Sequence, residues 1–277
     1  MNMKTTKNIM LFLVAAILAA CMGTTRTVPI TGRKQKVSTD NATILSQSLT
    51  EYRKYVSSAK LSTNANNTAM VKRVGQRLAN AVITYLKNNG YADEVSNYNW
   101  EFNLVAENQV NAFCMPGGKI VVYEGLLPVT QTETALAIVL GHEIAHAVAY
   151  HSSEQMAKAE NINMIGQGIN ILGSVVSGNN ANTQAAVSTI SQLYGLGSQV
   201  ATLKYSRNNE TEADRIGLIF AAMAGYNPNE ALTFWQRMAA SSNNNSPEWL
   251  STHPFDATRI ANIQKFLPEA LKYYKPQ

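Results

Sequence analysis

At 277 residues with 45% hydrophobic side chains, the chain is long enough to bury a substantial core and too apolar to be disordered. Its net charge of +5 falls by two if Lys4 and Lys7 leave with an N-terminal leader, and no basic run or aromatic-interleaved patch is present. A nucleic-acid binder is therefore excluded.

The first twenty residues read as a secretory signal. Lys4 and Lys7 precede the twelve-residue apolar run "IMLFLVAAILAA", too short for the ~20 residues a bilayer span needs. The run ends in "LAAC" (18–21), which resembles the lipobox that directs acylation of its Cys, here Cys21. A plain cleavage site leaving a free thiol is the alternative. Acylation predicts membrane attachment through a lipid anchor and, since Met22 replaces the Asp retention signal, an outer-membrane lipoprotein facing the periplasm. Cys114 would then lack a disulfide partner, so the exported domain depends on its core or on a metal. Residues 21–38, broken by Pro29 and Gly32, read as the acylated Cys and a tether, with the domain over 39–277.

Two helices follow. The second, "NTAMVKRVGQRLANAVITYLKNNG", places Met70, Val74, Leu78, Val82 and Leu86 on one stripe and stops at Gly90. "NWEFNLVA" alternates Trp100, Phe102 and Leu104 with polar residues, as a strand does. "NAFCMPGGKIVVYEGLL" predicts a hairpin turning at Pro116-Gly117-Gly118. Thr130 and Glu133 have capping-box spacing for the helix that continues "ALAIVLGHEIAHAVAYHSSEQM". Residues 161–203 carry no charge and read as a hairpin of small-residue helices, with a membrane-touching lid as the alternative. The expected fold is α+β, mostly helical, with one small sheet beside the "GHEIAH" helix.

That helix carries the chemistry. Residues four apart share a helix face, so His142 and His146 can point two imidazoles at one tetrahedral cation. Glu143, rotated about 100° from His142, lies beside such a cation and can take a proton from a water held there. This is the HExxH arrangement of zinc peptidases. A catalytic zinc needs a third protein ligand. In "YSRNNETEADRIG" the buried stripe of the predicted helix runs through Ala213, Gly217, Phe220 and Ala224. Glu210 lies about 50° from its centre, Asp214 about 90° and Glu212 about 110°. Glu210 is therefore the expected ligand, Asp214 the acceptor for a ligand histidine's second N–H, and Glu212 a solvated partner of Arg215. His151, about 180° around the helix from His142, is a poor ligand and reads as a C-terminal cap. His253, in "STHPFDATRI", reads as a loop residue that could be a fourth ligand, a lid or an oxyanion donor.

"VPITGRKQ", "NAFCMPGGKIVVYEGLL", "GHEIAHAVAYHSSEQM", "YSRNNETEADRIG" and "THPFDATRI" together resemble the HExxH peptidase family that includes the CAAX prenyl endopeptidase, the heat-shock protease HtpX and the β-barrel assembly-enhancing protease. The resemblance is to its single-domain bacterial lipoprotein members, since transmembrane helices and a helical-repeat domain are not seen. It implies a gluzincin-type zincin with one Zn2+ per chain, held by His142, His146 and Glu210, with Glu143 as the catalytic base and Asp214 in support. It implies that His253 can approach and obstruct the metal, and that "GGKIVVYEGL" is an edge strand taking extended substrate. The substrates implied are misfolded or unassembled envelope proteins. The rival reading is a non-catalytic, zinc-stabilised chaperone or assembly lipoprotein, which would have no use for Glu143.

Overall fold

The computed structural model describes residues 24–38, 41–158, 205–241, 249–250, 253 and 258–276. The leader, Cys21 and the uncharged 161–203 segment lie outside these residues. Two short strands, β1 (Thr24–Thr27) and β2 (Lys34–Val37), open the described chain as an antiparallel hairpin. Ile30 and Gly32, both at φ 69°, turn the chain between them. Residues 24–38 were expected to be part of a tether; instead they pack on the domain. Val28 is fully buried, and Arg26 and Gln35 donate to the carbonyls of Val148 and Ala149 at 3.0 and 2.6 Å. Those carbonyls end the HExxH helix and need donors from outside it. Strands this short and polar carry no hydrophobic pattern that sequence reading could detect.

Helix α1 (Asn41–Ser58) buries Ile44, Ser48 and Tyr52, spaced four apart on one face. Helix α2 (Ala65–Asn88) starts at Asn64, whose side chain accepts from Asn67 N, and buries Val71, Val74, Leu78, Val82 and Leu86. Strands β3 (Glu101–Val105), β4 (Ala112–Met115) and β5 (Lys119–Tyr123) form a sheet in the order β3-β5-β4, parallel on one side of β5 and antiparallel on the other. The hairpin expected at 116–118 joins β4 to β5, with Gly117 and Gly118 at φ 87° and 78°. The Gly-Gly strand is not an edge strand: β5 is central and buried at every position, and the edges are β3 and β4. A strand covered on both faces reads as an unbroken apolar run, which "IVVY" is.

Helix α3 (Glu133–Val148) carries the HExxH motif. Its N-cap is Thr132, accepting from Ala135 N at 3.0 Å, and not Thr130. Thr130 closes a separate turn at Leu127–Thr130, and Gln131 at φ 64° breaks the chain between them. Every residue from Ala135 to His146 is buried, so this is a core helix. Helices α4 (Arg207–Met223), α5 (Glu230–Ser241) and α6 (Thr258–Ala270) complete the described fold. One apolar core joins α2, the sheet and the three helices from α3 to α5. Where α3 crosses α4, Gly141 faces Gly217. A Cβ on Gly217 would sit 2.6 Å from Gly141 C and His142 N, so two backbones meet where no side chain fits. Among the described residues, no helix is long and apolar enough to cross a membrane.

Candidate metal centre

The close crossing sets the site, because it brings α4 against the turn of α3 that holds the two histidines. Ser206 caps α4, accepting from Asn209 N at 3.2 Å, and the first turn then delivers Glu210 toward α3. His142, His146, Glu210 and His253 are all buried, and one ligand atom from each lies within 4.8 Å of the others. His142 Nε2 is 3.0 Å from His146 Nε2 and 3.2 Å from His253 Nδ1. Glu210 places Oε2 3.4 Å from His142 Nε2, and Oε1 3.4 Å from His146 Nε2 and 3.1 Å from His253 Nδ1. These are the atoms the HExxH reading nominates, and the structure brings them together. It also brings His253, from a segment distant in sequence, into the same group.

Asp214, one turn beyond Glu210, accepts from His142 Nδ1 at 2.8 Å and from Arg259 at 2.7 Å. In the neutral ring that contact puts the proton on Nδ1 and leaves Nε2 as the lone pair facing the cluster. Glu143 turns aside from the cluster: its Oε1 accepts from Trp249 Nε1 at 2.7 Å and lies 3.4 Å from His253 Nε2. It is thus beside the converging ligand atoms and not among them.

The buried rings and the Glu210 carboxylate shift one another's protonation. Burial disfavours a charged His142, yet Asp214 and Glu210 outweigh it and lift the ring to about 9. Burial holds His146 well below the ordinary histidine range, against the pull of Glu210. Burial opposes ionisation of Glu210, but His253, His142 and His146 hold it well below the usual carboxylate range. Three imidazoles and a carboxylate whose ligand atoms converge, with one ring hydrogen-bonded to Asp214, are a donor set that fits a zinc ion.

Two residues stand differently from the sequence reading. Glu212 is not a solvated partner of Arg215; it is buried and accepts from His151 Nε2 at 3.0 Å, Arg33 Nε at 2.8 Å and Thr31 Oγ1 at 2.5 Å. Burial works against its charge, but His151, Arg33 and Thr31 depress its pKa to about 2. Arg215 instead pairs with Glu269 at 2.7 Å. The hairpin covers the face of α4 that helical phase alone marks as outer. His151 is outside the ligand group, as expected, but does not cap the helix: α3 ends at Val148, Tyr150 breaks the chain at φ 56°, and helix resumes at 151. Its fully buried ring returns to lie 2.9 Å from His146. Trp249, Arg259 and Tyr205, which stacks on His146 with ring centres 3.9 Å apart, were not foreseen. Trp249 and Glu143 are 106 positions apart, and no local spacing signals such a contact.

The model of peptidase family M48 matches residues 65–267. The chain belongs to peptidase family M48. Zinc is the metal of this family, and the M48 chain has the donor set for it. It is 36% identical over 178 residues to the mitochondrial metalloendopeptidase OMA1 of Schizosaccharomyces pombe, covering 64% of this chain and 49% of that protein. It is 32% identical to the Homo sapiens metalloendopeptidase OMA1, covering 64% of this chain and 34% of that one. The beta-barrel assembly-enhancing protease of Yersinia pestis is 32% identical over 167 residues, covering 60% and 34%. The M48 chain thus spans between a third and a half of the length of these relatives. Their names also correct one expectation. Mitochondrial proteins of yeasts, cattle, thale cress and humans recur among the matches, which points away from a bacterial outer-membrane lipoprotein facing the periplasm.

Proposed function

We propose that this M48 chain is a zinc-dependent endopeptidase. The observation that carries the reading is the convergence of His142, His146 and Glu210 on one point with Glu143 held beside it. Bound there, zinc would hold a water and acidify it, the chemistry that HExxH sites use on peptide bonds. Glu143 is the base that accepts the water's proton and passes it to the leaving amine. Trp249 holds the Glu143 carboxylate through its indole N–H, beside the point where the ligand atoms converge. Asp214 and Arg259 fix His142 in one tautomer.

Substrate enters as an extended segment along the outer edge of β4. That strand packs near α3 and has β5 on one side only, with no strand on the other among the described residues. Misfolded or unassembled envelope proteins present such segments, and the similarity to a beta-barrel assembly-enhancing protease supports this substrate class. An acyl chain on Cys21 would hold the domain close to a membrane. His253 restrains the site: its Nδ1 sits among the ligand atoms, where it would compete with water for a bound zinc.

The test is hydrolysis of casein by the purified chain. Cleavage that a chelator stops, that zinc restores and that Glu143→Gln lacks is the expected result. Zinc binding without cleavage of any unfolded protein would favour the zinc-stabilised chaperone instead.

A further inference from the structure

Through Nδ1, His142 reaches the Asp214 carboxylate directly, whereas His146 Nδ1 meets another imidazole. On the side of His146 away from the cluster, its Nδ1 is 2.9 Å from Nδ1 of His151, and Nε2 of His151 is 3.0 Å from Glu212 Oε2. Glu212 accepts in turn from Thr31 and Arg33 of the N-terminal hairpin, at 2.5 and 2.8 Å. Glu154 pins Arg33 from the other side with two bonds of 3.0 and 2.9 Å. The Tyr150 break, at φ 56°, is what swings His151 back under His146.

For two neutral rings, the geometry along this line assigns each proton. A carboxylate only accepts, so the proton between His151 and Glu212 sits on His151 Nε2. The neutral His151 ring then offers a lone pair at Nδ1. The single proton between the two Nδ1 atoms sits on His146, whose Nε2 is left as the lone pair facing Glu210 and His142. We propose that His151, Glu212, Thr31 and Arg33 form a positioning relay that selects the metal-binding tautomer of His146 and locks its ring. The hairpin, which lies outside the stretch matched to the M48 family, is then part of the metal site. The opposite arrangement, with His151 donating to His146, would put a proton on His146 Nε2 and remove it as a ligand. This inference rests on reading His142, His146 and Glu210 as zinc ligands.

The test uses the full chain stripped of metal. Zinc affinity is measured by competition with a chromophoric chelator, and ligand geometry by the visible spectrum of the cobalt-substituted protein. His151→Leu removes the acceptor and should raise the zinc Kd about 10- to 100-fold and alter the cobalt spectrum. His151→Asn, whose amide oxygen can stand where Nδ1 stood, should recover most of the affinity. Arg33→Met, at a side chain 35% exposed, should weaken zinc in the same direction and carries the test if His151→Leu does not fold. Wild-type zinc affinity and cobalt spectrum in His151→Leu, or in Arg33→Met when the former does not fold, overturn the relay. Equal losses in His151→Leu and His151→Asn overturn the tautomer selection. A wild-type chain that binds no zinc overturns the underlying metal-site reading instead.

Discussion

Gly217→Ala tests the helix crossing on which the site depends. The added Cβ would stand 2.6 Å from Gly141 C and from His142 N, and 2.7 Å from Gly141 O. Contacts of real Cβ atoms essentially never fall below 3.0 Å, so α3 and α4 must part by at least about 0.4 Å. Both sides of the contact are backbone, which cannot swing away as a flexible side chain does. Overpacking of this kind costs about 1–3 kcal/mol. Alanine returns up to about 1 kcal/mol in helix propensity, so a net destabilisation of about 0–2 kcal/mol is expected. The functional loss should be larger than the stability loss suggests. One clashing atom belongs to His142 itself, and the displaced helix carries Glu210 and Asp214. Misplacement on the order of 1 Å can cost about 10²-fold in rate, so turnover should fall by up to that factor, with weaker zinc binding. Urea denaturation, chelator competition and casein turnover measure the three quantities. Wild-type zinc affinity and turnover in Gly217→Ala would refute the claim that this crossing sets the ligand geometry.

Glu143→Gln should keep its zinc, since Glu143 stands beside the ligand group, while losing about 10²-fold or more of its turnover. Near-wild-type hydrolysis would remove Glu143 as the base. His253→Ala should raise the turnover of a short peptide and weaken zinc modestly, because it takes one imidazole out of the cluster. A large fall in turnover at full zinc occupancy would make His253 a transition-state donor instead. Cys21→Ser should move the chain from the membrane fraction to the soluble one without changing the domain's intrinsic activity; continued palmitate labelling would refute acylation at that residue.

What could be read in the sequence followed helical geometry. The i, i+4 spacing of His142 and His146 and the phase of Glu210 and Asp214 depend only on 3.6 residues per turn, and these residues meet as expected. Glu212 and His151 were misjudged because their surroundings come from elsewhere in the chain. Arg33 is 179 residues from Glu212, and the Tyr150 break that returns His151 to the site is set by backbone conformation. The β4–β5 hairpin was legible from its Pro-Gly-Gly turn. The central place of β5 was not, since it depends on parallel pairing with β3 across an intervening strand. Trp249 and Arg259 reach the site by tertiary packing, which no periodicity encodes.

Metal analysis of the purified chain and its ligand variants tests the central claim most directly. The account predicts one zinc per chain in the wild type and in Glu143→Gln, and none retained after dialysis in His142→Ala or Glu210→Ala. Stoichiometric zinc in Glu210→Ala, or a wild-type chain that takes up no zinc, would contradict it.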